Sequence, residues 1–356
     1  MKYAAHAPHA HARASIGRLM LWVMIALTPA TLYAFWLYGW PAIFLWAVTV
    51  LSAAGAEFFV LRLMQRDAAR GLADGTAVLT GWLLALTLPP WAPWWVGVIG
   101  SVFAIVVVKQ VFGGTGQNLF NPAMAARVML LISFPVELTT WVGPSPLFGA
   151  GALSFVEGAR VTFLGQMPLG FDALTSATTL GHVKTELTRG IDVPAALASH
   201  GQGLGASLIG LHAGSLGETA AVLLLAGGVL LIALRVIRWH IPVAMLAGVL
   251  LPAMLMHAHD PARYLDAGTH LLAGGLILGA FFIASDPATS PGTARGQLLF
   301  GFGCGLLVWV IRTWGGYPEA VAFAVLLMNA FTPVIDRYLR PRIYGHPARF
   351  ARRTRP

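Results

Sequence analysis

Five short polar stretches interrupt an otherwise apolar chain and hold most of the side chains able to do chemistry. Asp74-Gly75-Thr76, with Thr80 and Thr87 beyond it, brings an acid and several hydroxyls into an apolar run that Pro89-Pro90 ends. Proline lacks an N–H and restricts the residue before it, so the run must stop there. An acid in such a run is costly unless paired or facing a cavity, and Asp74 reads equally as a helix cap or as cofactor lining. The second stretch runs from Lys109 through Gly113, Gly114 and Gly116 to Asn121-Pro122. Its glycines permit tight turns and close backbone approach to a ligand. Asn followed by Pro has the form of a helix start. A helix N-terminus beside Lys109 could hold an anionic group, although a broken membrane helix restarts in the same way. Arg127, one to two turns further on, requires a partner or a route to the interface.

The remaining stretches are less specific by themselves. Asp172, Thr175, Ser176, Thr178 and Thr179 form an acid and hydroxyl cluster suited to a turn or cap. Ser285-Asp286-Pro287 through Pro291 reads as a helix-terminating loop, and Arg312 and Glu319 flank a Gly315-Gly316 break at a spacing that permits an ion pair. Asp74, Glu218, Asp286 and Glu319 are the acids available for ion coupling, with capping or anchoring as their simpler role.

The elements that must position these residues are membrane spans. The chain is 57% hydrophobic and 10% charged, with a mean hydropathy of +0.72; soluble domains carry about 25% charged residues. Apolar segments fall near 19–36, 41–61, 76–90, 92–109, 118–135, 218–234, 240–257, 267–284, 296–312 and 319–335, against a need for roughly 17–25 residues per span. This predicts an all-α polytopic membrane protein of about ten helices. The segments at 76–90 and 118–135 are short or interrupted and are expected to be broken, tilted or re-entrant. With ten spans and both ends inside, Arg13, Arg18, Arg62, Arg66, Arg70, Arg235, Arg238, Arg295 and the arginine-rich tail all fall on the cytoplasmic side. The formal charge of +9 is then a topology signal, and the partner of that face is anionic lipid rather than nucleic acid. Cys304 is the sole cysteine, which excludes an intrachain disulfide and a thiolate-held iron–sulfur cluster. Redox chemistry would fall to flavin, quinone or haem, and the scattered histidines do not favour haem.

The expected organisation is a cytoplasmic tail (1–18), an N-terminal transmembrane half (19–135), an outer loop (136–217), a C-terminal transmembrane half (218–335) and a basic cytoplasmic tail (336–356). VFGGTGQNLFNPAMAARV and TWGGYPEAVAFAVLLMNAF follow corresponding spans, share an aromatic–Gly–Gly step and contain an Asn. They suggest two five-helix halves with sites at broken helices; chance similarity of Gly-rich apolar sequence is the alternative.

The segment DALTSATT resembles the Asp-x-x-Ser/Thr-Gly-Ala-Thr flavinylation motif of the RnfD/NqrB family, membrane subunits of Rnf-type electron-transport complexes and of the sodium-pumping NADH:quinone reductase. DGTAVLTGWLLALTLPP, KQVFGGTGQNLFNPAMAARVMLLISFP, FFIASDPATSPGTARG and IRTWGGYPEAVAFAVLLMNAFTPVID resemble the family in the same order, so the likeness covers about residues 15–340. The short N-terminus is closer to the family's D-type members. The resemblance implies FMN joined through its phosphate to Thr178 by a periplasmic flavin transferase, with Asp172, Thr175, Ser176 and Ala177 as motif positions. Ser176 departs from the usual Gly. It further implies a noncovalent riboflavin near the opposite face, lined by Asp74, Thr76, Lys109, Gly113, Gly114 and Asn121. The implied partners are the other subunits of an Rnf-type complex, above all a periplasmic FMN-bearing one, in an inner membrane where electron flow drives Na+ or H+. A cofactor-free transporter and a structural scaffold are the rival readings, and Ser176 is the main support for the scaffold.

Overall fold

The computed structural model describes residues 15–149, 151–166, 178–200, 204–219, 221–317 and 319–340, and among them every regular element is a helix. The chain opens with α1 (Ile16–Tyr38) and α2 (Trp40–Leu63), passes a short α3 (Ala68–Ala73), and continues through α4 (Thr76–Thr87), α5 (Trp94–Val102) and α6 (Pro122–Ser133). Small helices follow: α7 (Pro135–Thr139), α8 (Phe155–Ala159), α9 (Thr179–Thr188), α10 (Val193–His200) and α11 (Leu204–Ile209). The second set comprises α12 (Ala221–Ala233), α13 (His240–His259), α14 (Ala267–Leu272), α15 (Leu276–Leu278), α16 (Ala294–Trp314) and α17 (Val321–Tyr338). Helices α1, α2, α13, α16 and α17 are long and apolar enough to cross a membrane, and α4, α5, α6 and α12 are shorter apolar helices. The protein is an all-helical polytopic membrane protein.

The two sets correspond element by element. In the first, α2 packs on α4 and α5; in the second, α13 packs on α14 and α16. The sets meet through corresponding members, α1 on α12 and α6 on α17. They also run in opposite directions. Helix α5 ends near Lys109, whereas its counterpart α16 starts at that end and finishes near Thr178, which is the geometry of an inverted repeat.

Close backbone packing holds each set. Helices in lipid gain little from apolar burial against one another, so small residues that let them approach carry the packing. A Cβ at Gly305 in α16 would lie 2.1 Å from the Met245 carbonyl oxygen of α13, and one at Gly248 in α13 would lie 2.4 Å from the Phe302 oxygen. In the first set, Gly81 of α4 also lies close to α2, where a Cβ would meet Val50 Cα at 3.0 Å.

Two kinds of irregularity set up the polar sites. Helix α4 ends at Thr87, and Leu88 is extended, as a residue before Pro89 must be. Its counterpart in the second set is broken into α14 and α15, which runs on as a π-helical turn over Gly279–Ile283. Helix α5 likewise continues as a π-helical stretch over Phe103–Gln110, closed by a bond from the Val111 N–H to the Val106 oxygen. Such departures are tolerated at membrane depth where the backbone is buried in protein or lines a cavity.

Candidate functional site

Polar side chains gather at two places near opposite ends of α16, whose 21 residues span roughly 30 Å at the rise of an α-helix. At the first, the π-helical end of α5 turns both Lys109 and Gln110 toward α2. Lys109 Nζ donates to Glu57 Oε1 at 3.0 Å and to Thr76 Oγ1 at 2.7 Å, and Gln110 Nε2 donates to the same Glu57 oxygen at 2.7 Å. The Thr76 hydroxyl donates to Asp74 Oδ1 at 2.6 Å, and Thr115 donates to Asp74 Oδ2 at 3.1 Å. Asp74 also accepts from the Thr76 N–H at 2.8 Å, so it closes the turn before α4 as well as serving the network. Lys109 and Glu57 are 3% and 2% exposed, so neither charge is relieved by water.

Beside this network lies a cavity of about 380 Å³, within the size range of small-molecule sites. Thr76, Thr80, Lys109, Asn118, Asn121 and Asp286 give it a polar side; Leu79, Leu83, Phe281 and Phe282 give it an apolar one. Asn121 caps α6 by accepting from Met124 N–H at 3.2 Å, with Pro122 in the first turn. Its own N–H donates to Asn329 Oδ1 of α17 at 3.1 Å, while Asn329 Nδ2 donates to the Thr289 oxygen at 3.1 Å. One buried Asn thus pins the Asn121 turn to the 285–291 loop. Of the residues expected here, Thr76, Lys109 and Asn121 line the cavity and Asp74 contacts Thr76. Gly113 and Gly114 are not in the lining. Both have positive φ, +117° and +101°, and the turn they make delivers Thr115 and Gly116 to the cavity. The Gly113 carbonyl accepts from Arg66 Nη1 at 3.2 Å.

The second place surrounds Thr178, the N-cap of α9, whose hydroxyl oxygen accepts from the Gly181 N–H at 3.2 Å. Thr178 borders a cavity of about 200 Å³ together with Arg127, Trp141, Thr185, Tyr317 and Glu319. Behind it, Arg127 Nη2 donates to Glu319 Oε2 at 2.7 Å. Glu319 lies against Glu218, whose Oε1 accepts from Ser215 Oγ at 2.7 Å. The Arg312–Glu319 pair that the spacing permits does not form. Glu319 takes Arg127 instead, because α6 and α17 pack together and bring these side chains face to face. Arg312 donates to the carbonyl oxygens of His270 at 2.7 Å and Ala273 at 2.8 Å, bridging the end of α14. Lys109 reaches the Thr76 side chain at the start of α4, so each half sets a buried cation against one of these corresponding elements. Lys184 of α9 donates to the carbonyls of Arg312 and Gly315, and partial burial pushes its ammonium below the usual lysine value. Asp172, Thr175, Ser176 and Ala177 lie outside the described residues.

Sequence reasoning missed Glu57 and Gln110. Glu57 is the lone acid of α2, WPAIFLWAVTVLSAAGAEFFVLRL, and an acid so placed is itself the signal of a buried partner. Gln110 carried no such signal, because only the π-helical turn brings it beside Lys109 toward α2.

The chain matches the model of the NQR2, RnfD, RnfE family over residues 3–345. It is 53% identical over 338 residues to the D component of the ion-translocating oxidoreductase complex of Halorhodospira halophila, covering 95% of this chain and 94% of the relative. The D component of the same complex in Stutzerimonas stutzeri is 54% identical over 337 residues, with 95% and 94% covered. That of Escherichia coli strain K12 is 42% identical over 351 residues, with 96% and 98% covered.

Proposed function

Because the chain belongs to the NQR2, RnfD, RnfE family, we propose that it is the D component of an ion-translocating oxidoreductase complex, with FMN esterified to Thr178 and riboflavin in the larger cavity. The flavins would supply electron transfer, coupled across the complex to movement of Na+ or H+. The protein supplies position, electrostatics and exclusion of water.

The observation that carries this reading is Thr178 at the rim of a cavity with aromatic and cationic walls. A phosphate on its hydroxyl would stand at the N-terminus of α9, ten residues long, where the first-turn N–H groups and the helix dipole favour negative charge. Trp141 and Tyr317 offer flat apolar surface, and buried Arg127 has an Nη1 that no group among the described residues satisfies. These features fit the group. Thr178 is 7% exposed, so a transferase must act before this segment closes or must open it. The larger cavity fits a second flavin by size and by its split lining: hydroxyl, amide and ammonium groups on one side, leucine and phenylalanine on the other. Arg66, Arg70, Arg235 and Arg238 cluster at the Lys109 end, which supports a cytoplasmic placement for that end and a periplasmic one for Thr178. The electron donor would be a periplasmic FMN-bearing partner.

Expression in membranes with an active flavin transferase, followed by a denaturing gel imaged for flavin fluorescence, tests the attachment. A fluorescent band in the wild type that is lost in Thr178→Ala is expected. No band in the wild type, with a control substrate labelled, would overturn covalent attachment and favour the transporter or scaffold.

A further inference from the structure

The proposed function leaves unused the charge cluster behind the Thr178 cavity. Arg127 projects from the middle of α6 with 3% of its side chain exposed. One terminal nitrogen, Nη2, is tied to Glu319 at 2.7 Å; the other, Nη1, is buried without a hydrogen-bond acceptor among the described residues. A guanidinium is always charged and carries five donors, so a single acceptor leaves it under-compensated. Glu319 does not devote its charge to Arg127 alone, because it also lies against Glu218. Glu218 is in turn held by the Ser215 hydroxyl. Among the described residues, the other charged and titratable groups facing this cluster are Arg312 of α16, Tyr38 of α1, His212 and Tyr317. Arg312 is already held by two backbone carbonyls. Among the described residues Arg127 is therefore the cation of this cluster with charge to spare, and it borders both the Thr178 cavity and the small cavity that Glu218 and Glu319 share.

We propose that Arg127 is the positioning residue that sets the redox potential of the flavin on Thr178, with Glu319 as its attenuator. One electron added to the isoalloxazine ring, from dithionite in a titration or from a reduced flavin partner in the complex, adds one negative charge. Arg127, with 3% of its side chain exposed, stabilises that charge more strongly than a hydrated cation would. Removing Arg127 makes reduction harder. Removing the charge of Glu319 frees more of the guanidinium charge and makes reduction easier. The two variants thus shift the potential in opposite directions, which loss of packing does not do.

This inference rests on covalent attachment at Thr178, and the test separates the two. Wild type, Arg127→Gln, Arg127→Lys and Glu319→Gln are flavinylated in membranes, attachment is verified by gel fluorescence, and the midpoint potential of the bound flavin is titrated spectroscopically. A tenfold change in the ratio of reduced to oxidised flavin corresponds to about 59 mV for one electron. Arg127→Gln is expected to lower the potential by at least about that amount. Arg127→Lys, which keeps the charge, is expected to restore most of it, and Glu319→Gln to raise the potential above wild type. Flavinylated Arg127→Gln with the wild-type potential would overturn the proposal, as would downward shifts in both Arg127→Gln and Glu319→Gln. If Arg127→Gln does not accumulate, Arg127→Lys and Glu319→Gln decide: a low potential in the lysine variant, or no rise in the glutamine one, overturns it. A wild type without bound flavin fails the earlier proposal instead.

Discussion

Breaking the Lys109–Glu57 pair should cost stability, while replacing both partners should not. At 3.0 Å and an effective dielectric of about 20, the Coulomb attraction of two unit charges is about 5.5 kcal/mol. Burial of each ion costs several kcal/mol, so the pair's net contribution is close to zero. The asymmetry appears on deletion. Lys109→Met leaves the Glu57 carboxylate with only Gln110 as a donor, in a site where its second oxygen already has no partner. Loss of one partner from a buried pair costs about 3–5 kcal/mol. Lys109→Met/Glu57→Leu removes both charges and should return to within about 1–2 kcal/mol of wild type, since apolar replacement of both is often neutral. Thermal survival of the monodisperse protein in detergent, across the double-mutant cycle, measures this. Retention of the riboflavin proposed for the larger cavity, which Lys109 lines, should stay impaired in the stable double variant. Equal stability in all four proteins would refute the argument, because it would mean the charges are hydrated rather than buried.

Tight helix contact predicts that Gly305→Ala forces α13 and α16 apart, since the new Cβ would meet the Met245 oxygen at 2.1 Å. Overpacking of this kind costs about 1–3 kcal/mol. The adjacent Cys304, fully buried in the wild type, should then react faster with a thiol reagent, and unchanged labelling would count against the packing argument. The desolvated amine of Lys184 predicts a pH slope. The folded state releases this proton at lower pH than the unfolded chain, so the unfolded chain binds more protons in between. Stability therefore rises with pH across that window and levels off above the ordinary lysine value of about 10.4. Lys184→Met should abolish that part of the slope in thermal midpoints measured across pH.

Much of the architecture was readable in the sequence because membrane burial writes it in long apolar runs. The breaks were readable too: Pro89-Pro90 and Asn121-Pro122 act through local backbone restrictions that need no tertiary context. Partner choice was not. Arg127 and Glu319 lie far apart in the chain, and only the contact of α6 with α17 selects that pair over the nearer Arg312. Gly113 and Gly114 looked like ligand-approach positions, yet nothing in a glycine's identity separates a residue that touches a cavity from one that turns the chain toward it.

The π-helical stretch over Phe103–Gln110 compensates for a difference in spacing between the two halves. Lys109 stands four residues before Gly113, whereas its counterpart Arg312 stands three residues before Gly315. One extra residue per π turn accounts for the difference, since each residue in an α-helix rotates the chain by about 100°. The wider turn offsets that rotation, so Lys109 still reaches Glu57 of α2. With the two Gly-Gly steps aligned, Lys109 and Arg312 come into register only with a one-residue gap within 110–112.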